Sequence, residues 1–426
     1  MWNFDGVACA AALELGNPLY FFHANHLLYG FLGYGFWKLL GLPLGLVRVL
    51  PALQVFTSLL ASLGLVGVYR LNLSLLKNQM SALLLTLALS VTAAFWVWSI
   101  EAQVYTLGFF PLAWATYVLL EYVGAHKYIW VGLLHAAAIL GHMMHFLWVV
   151  PALYWMWDHP NAIRRYLKVL FLATTIPYVL VLAYVIAPRR DVAHILIWLK
   201  GSAGLTSDRS WAWHFPGKTG PWIWLKSTVP ALWGNFWPYG DIQVTTGLVI
   251  LAAISILVFL TCLLRSWTKR HEKEWKFSCL WLAVYGLFLS TWEPSTLCYR
   301  MTDIIPFGIL LALGLKAWRA PSQIFFASLF FGSTLVLNLY SRILPMHDIS
   351  RNRVYQDTLS LSKISSPNSL YITSGGLPWI YLLYFTGRTA WNAGSFRPDS
   401  LTEEITRQKR SRPVYVLKGS SWLKVL

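Results

Sequence analysis

Residues 244–291 read VTTGLVILAAISILVFLTCLLRSWTKRHEKEWKFSCLWLAVYGLFLST. An apolar run over 244–265 ends in a basic cluster of Arg265, Lys269, Arg270, Lys273 and Lys276, and a second apolar run fills 277–291. A run of about 20 apolar residues crosses a bilayer as a helix, because hydrocarbon offers the backbone no other hydrogen-bond partner. A short basic loop between two such runs marks a cytoplasmic connection. The stretch therefore reads as a membrane hairpin with its turn inside.

The same pattern repeats outward in both directions. Ten spans are expected, at 46–68, 80–98, 103–121, 128–141, 143–157, 167–187, 244–265, 277–291, 304–318 and 322–340. The apolar stretch 27–41 ends at Gly41-Leu42-Pro43 and reads as an interfacial or re-entrant helix. Placing Arg70 and Lys77 inside also brings the clusters Arg164/Arg165/Lys168, 265–276 and Lys316/Arg319 inside, with His126 and Lys127. That single assignment satisfies every strong basic cluster.

Composition agrees. Charged residues make up 12% of the chain and hydrophobic ones 57%, against about 25% charged in soluble domains. The 24 Trp and 21 Tyr suit interfacial belts. The net charge of +17 lies largely in the loop clusters, so nucleic acid is not expected as a partner. Cys9, Cys262, Cys279 and Cys298 have no metal-ligand spacing and read as buried, reduced thiols. No cleavable signal peptide is read at the start: Asp5 precedes any apolar region.

Two domains are expected. Residues 1–340 form the transmembrane domain, with external loops 1–45 and 188–243. The long loop carries Trp211, Trp213, Trp222, Trp224, Trp233 and Trp237, read as helices in the headgroup layer or as sugar-stacking rings. Its Gly-Lys-Thr-Gly at 217–220 lacks the upstream glycine of a phosphate-binding loop. Residues 341–426 form a small external α/β domain, with strands at 369–373 and 413–417 and a helix at 376–386. From Arg342 onward basic residues outnumber acidic ones 12 to 5, which favours contact with anionic membrane lipids.

The crossing count sends four polar clusters to the outer face. Asp5 stands before Gly6 and a small-residue helix, as a base or as a plain helix cap. Glu101, in Glu101-Ala-Gln-Val-Tyr105, joins two spans, as a site residue or as a solvated hinge. His142 and His145 in Gly141-His-Met-Met-His145 share one helical face, too few for a metal site without further ligands. Arg300 is able to hold a phosphate bidentately or to pair with Asp303 three residues on.

These clusters, in this order, resemble the GT-C superfamily of membrane glycosyltransferases, and within it the protein O-mannosyltransferase-like branch and related bacterial enzymes. Asp5 in Phe-Asp-Gly matches the family's acidic residue in the first external loop. His23-Ala-Asn-His26-Leu-Leu-Tyr29 resembles its His/Pro-rich stretch, Glu101-Ala-Gln-Val-Tyr105 its turn between spans, and Gly141–His145 with Pro151 its histidine hairpin. The sequence departs in two ways. The family's first transmembrane helix has no counterpart before Asp5, and Asp5 is followed by Gly6 rather than a second acid.

The resemblance implies transfer of a sugar from a polyprenyl-phosphate-linked donor to an acceptor (protein, lipid or glycan) at the external face of a cell membrane. In that reading Asp5 is the catalytic base and Arg300 binds the donor phosphate, while His23, His26, Glu101 and His142 line the substrate. No cofactor is assigned, and a divalent cation is compatible with the pattern. Arg189 and Arg190 are secondary phosphate candidates. The alternatives are a transporter or flippase, and a non-catalytic glycosyltransferase-like scaffold. A transporter predicts ionisable pairs near mid-membrane and an internal repeat, neither of which is evident.

Overall fold

The structure is a computed structural model. It describes residues 4–16, 21–189, 192, 195–196, 198, 220–234, 246–373, 376–393, 398–416 and 424–425. The chain opens with two short helices, α1 (Phe4–Glu14) and α2 (Tyr29–Phe36), the second running into a wide turn at Trp37–Gly41. The bundle then follows as α3 (Val49–Leu76), α4 (Gln79–Ser90), α5 (Ala93–Ile100), α6 (Tyr105–Glu121) and α7 (Lys127–Gly141). A 3-10 turn at Met143–Trp148 leads into α8 (Val149–Met156), then α9 (Pro160–Val181). Within the long loop lies α10 (Gly220–Trp233), and after it come α11 (Thr246–Ser266) and α12 (Lys273–Thr291). A 3-10 segment at Leu297–Asp303 enters α13 (Ile304–Lys316), and α14 (Ala320–Asn338) follows.

Each of the ten expected spans is helical. Among the described residues five helices are long and apolar enough to cross a membrane: Val49–Leu76, Pro160–Ile186, Thr246–Lys269, Leu297–Lys316 and Ala320–His347. The expected span 80–98 differs from its reading. It is the pair α4 and α5, bent by 72°. The backbone groups freed at the bend need partners inside an apolar bundle. Asn338 on α14 provides one, donating from Nδ2 to the Val91 carbonyl at 2.7 Å and to the Leu232 carbonyl at 2.9 Å. Helix α13 is the central element. In the most apolar window of Leu297–Lys316, which includes α13, 83% of residues are buried, against 17% for Pro160–Ile186.

Helix directions alternate along the bundle, so one end collects Lys77, Lys127, Asp158, Lys273 and Lys316. The opposite end collects Arg48, Glu101, His142, Trp292 and Arg300. Trp157 and Trp267, exposed near the first end, and Trp222, exposed near the second, have the exposure expected of interfacial anchors.

Beyond α14 lie α15 (Arg353–Ile364), α16 (Gly376–Thr386) and α17 (Pro398–Lys409), with strands β1 (Leu370–Thr373), β2 (Thr389–Asn392), β3 (Val414–Val416) and β4 (Lys424–Val425). The strand order is β2-β1-β3-β4. β1 is parallel to both β2 and β3, with Leu370 opposite Thr389 and Val414. Parallel neighbours need crossover helices, here α16 and α17. All four residues of β1 are buried, as befits a central parallel strand. The unit is not set apart from the bundle: Ile380, Tyr381 and Tyr384 of α16 belong to the same buried core as α1 and α3.

Candidate active site

The site is built where helix ends of the bundle meet. Helix α1 buries Val7, Ala10 and Leu13, one face of the helix, and leaves Asp5 exposed in its first turn. Gly6 fixes what Asp5 lies beside. A Cβ on Gly6 would stand 2.5 Å from the Ala102 carbonyl oxygen, so only glycine lets α1 approach the turn after α5. Asp5 is thereby held next to Glu101-Ala102. It lies within electrostatic reach of Cys9, Tyr105 and Cys298. Burial, and then the Asp5 carboxylate, pushes the Cys9 thiol up to about 12.

Glu101 follows α5 and is 5% exposed, not the solvated hinge that its position allowed. Tyr105 starts α6 and is buried too. Its ring stands 5.1 Å from His142 and edge-on to Tyr299 at 5.3 Å. Tyr299 in turn stands 6.0 Å from His142. These three rings draw together the second, third and fourth sequence clusters. His142 leaves the helix after Gly141 in extended backbone, and its Nδ1 accepts from the Met144 N–H at 3.3 Å. Gly141 permits this turn, because a Cβ there would stand 2.7 Å from the Gly108 backbone nitrogen.

His23 and His26 stack at 4.3 Å, and the Asn25 N–H donates to His23 Nδ1 at 3.2 Å. The same segment is tied to α7 and α9. Met143 N–H donates to the Asn25 carbonyl at 2.7 Å, and the Tyr178 hydroxyl to the Ala24 carbonyl at 2.5 Å. His23 lies within electrostatic reach of His142. Asp5, Glu101, His23 and His142 are therefore gathered at one end of the bundle, with His26 stacked behind His23.

Arg300 has a different setting. It is 3% exposed and donates from Nε to Asp303 at 2.5 Å. Its Nη1 donates to the Trp224 carbonyl at 2.9 Å and to Ser227 Oγ at 2.8 Å, and its Nη2 to Thr228 Oγ1 at 2.9 Å. All but one of its N–H donors are thus occupied by the protein. The guanidinium also lies 4.7 Å from the Trp224 ring. Arg300 adopts the Asp303 pairing that the sequence offered beside the phosphate role, and it fastens α10 to the bundle. The side chain of Arg189, and Arg190 entirely, lie outside the described residues.

A cavity of about 460 Å³ opens beside the ring cluster. Asn25, His142, Tyr178, Trp292 and Tyr299 line it together with Met143, Phe146 and Phe288, and the lining is largely apolar. Phe146 is 58% exposed on the bundle surface. Asn25, Tyr178, Trp292 and Tyr299 were not singled out from sequence. Tyr299 had one signal, its place beside Arg300 in an outer-face turn.

One expectation from the long loop changes. Trp233 is 4% exposed and donates to Ser255 Oγ at 2.6 Å, so it is core rather than belt or sugar platform. Trp211, Trp213, Trp237 and residues 217–219 lie outside the described residues. Among the described residues no group of three His, Cys, Asp or Glu side chains is placed to hold a metal ion.

No family model and no curated protein matches the sequence. The structure is similar to a solved one, ArnT from Cupriavidus metallidurans bound to undecaprenyl phosphate. The TM-score is 0.56 at 13% identity, over 91% of this chain and 78% of that one. The likeness shows a shared fold. This chain is a polytopic membrane protein with a GT-C-like fold and a small C-terminal sheet.

Proposed function

We propose that the protein transfers a sugar from a polyprenyl-phosphate-linked donor to an acceptor at the outer face of the membrane. One observation carries this reading. Asp5, Glu101 and His142, from three separate parts of the chain, are gathered at one end of the bundle, where His142 also lines a largely apolar cavity. An amphipathic donor needs that combination, with a headgroup among polar side chains and an isoprenoid tail against apolar ones. The solved structure with the same fold holds such a lipid phosphate, which supports the donor class.

In the proposed reaction Asp5 accepts the proton of the acceptor hydroxyl as the oxygen attacks the anomeric carbon. The bond from that carbon to the phosphate oxygen breaks, and the lipid phosphate leaves. Glu101, His23, His26 and His142 bind or orient the sugar. Arg300 contributes by holding α10 and the 297–303 turn together, since its fork is already occupied. The protein O-mannosyltransferase-like branch is the finer reading, and it rests on the echoes at Asp5, 23–29, 101–105 and 141–145. The outer end of the bundle is then the external face, and residues 341–426 stand on that side.

A donor panel tests the class. Membranes containing the protein are given radiolabelled polyprenyl-phosphate sugars and, in parallel, nucleotide sugars. Label passing to an acceptor fraction from the lipid donors alone is the expected result. Transfer from nucleotide sugars, or none from any lipid donor, would refute it.

A further inference from the structure

We propose that helix α16 of the C-terminal unit supports the active site: through Tyr384 it positions the helix that carries Asp5. This inference rests on the function proposed above for what the positioning achieves.

The contact is a compact polar knot. The Glu14 carboxylate ends α1 and accepts from Arg48 Nε at 2.9 and 3.1 Å, one bond to each oxygen. Glu14 Oε1 also accepts from the Val49 N–H at 3.0 Å and from the Tyr384 hydroxyl at 3.0 Å. The first N–H groups of a helix have no partner within it, and here the knot supplies two of them. Glu14 takes Val49, and the Tyr384 hydroxyl oxygen accepts from Leu50 at 3.1 Å. Arg48 closes the ring. Its Nη2 donates to the Tyr384 carbonyl at 2.9 Å, and its guanidinium stands 4.2 Å from the Tyr384 ring. One tyrosine from the C-terminal unit is thus bonded to the end of α1 and the start of α3 together.

Tyr381 lies one turn earlier on α16, on the same face. It is fully buried, accepts from Asn352 Nδ2 at 3.4 Å and lies within electrostatic reach of Glu101. Helix α16 packs on α1, and Val7, Ala10 and Leu13 share one buried core with its Ile380.

The geometry explains why this affects chemistry. Helix α1 has 11 residues, so its ends are about 16 Å apart at the helical rise. Asp5 stands at one end and Glu14 at the other. A short rigid rod pinned at Glu14 and wedged by Gly6 against Ala102 leaves Asp5 one place to be. Releasing the Glu14 end lets the rod tilt, and a base displaced by an ångström loses much of its effect. Tyr384 touches no substrate in this account and is a positioning residue.

Two variants of the full chain test it, Tyr384→Phe and Arg48→Lys. The first removes only the hydroxyl and keeps the ring. The second keeps the charge beside Glu14 and removes the fork. The first readout is independent of any transfer: maleimide alkylation of Cys9, which is half-buried on α1, followed by peptide mass spectrometry. Several-fold faster alkylation is expected in both variants. The second readout is transfer, where kcat should fall several-fold while the KM for lipid-linked donor stays unchanged. Faster Cys9 alkylation in a protein that transfers no sugar from any donor would support the positioning and defeat the proposed reaction. Wild-type alkylation rates in either folded variant would overturn the positioning, whatever the transfer assay shows.

Discussion

The two ends of the bundle use the same kinds of residue in opposite ways. At the basic end Lys77, Arg164, Arg165, Lys168, Lys316 and Arg319 are all exposed. Lys273 meets Asp158 at 2.9 Å in a pair open to water. Such charges orient helices and cost little. At the opposite end Glu101, His142, His145, Arg300 and Asp303 are buried, none more than 9% exposed. Ionisable groups pay heavily for leaving water unless a partner or a purpose offsets the cost. The contrast separates an address from a site. A count of charges at each end does not show it, and their burial does.

The largest expected effect sharpens this contrast at its most deeply buried pair. Arg300→Ala leaves Asp303 buried without its partner, and loss of one member of such a pair costs about 3–5 kcal/mol. Thermal unfolding in detergent should show a large drop, partly recovered when Asp303 is also replaced by Ala. Unchanged stability with weakened donor binding would return Arg300 to the phosphate-binding role first read from the sequence.

Next comes Gly6→Ala. The added Cβ meets the Ala102 carbonyl oxygen, so α1 must shift, and Asp5 with it. Transfer should be lost while the bundle stays folded. Wild-type turnover would show that Asp5 needs no such close seat.

A smaller effect is chemical. The Cys9 thiol is pushed up to about 12 by burial and by Asp5. The thiolate is the reactive form, so alkylation should be slow at neutral pH and still rising at the alkaline limit of stability. A plateau near the ordinary thiol range would show that Cys9 is open to water and not held in an apolar seat beside Asp5.

The smallest expected effect lies at the other end. Lys273→Ala breaks the exposed pair with Asp158 and should leave unfolding and transfer unchanged. A marked loss there would break the distinction between the ends.

The sequence carries the bundle well, because hydropathy and basic loops act locally. All ten expected segments are helical, and β1, β3 and α16 lie where their residues indicated. The bend between α4 and α5 was not legible. Its partner Asn338 stands 247 residues from Val91. The same holds for Arg300, whose partners on α10 lie 72 to 76 residues away. The knot of Glu14 with Tyr384 spans 370 residues. Asp5, Glu101 and His142 were legible as outer-face acids and bases. The burial of Glu101 and His142 and the company of all three were not, since those depend on which helix ends meet. Reading Trp233 as interfacial failed for the same reason, because aromatic composition does not distinguish a ring in the core from one at its edge.

The most direct test of the central claim is side-by-side turnover of wild type and Asp5→Asn in one membrane preparation, with a polyprenyl-phosphate sugar that the donor panel has identified. The substitution keeps the size and removes the basic carboxylate, and Asp5 is exposed, so folding should not change. The account predicts that transfer disappears while the protein level and its unfolding temperature stay as in wild type. Equal turnover in the two proteins would contradict it.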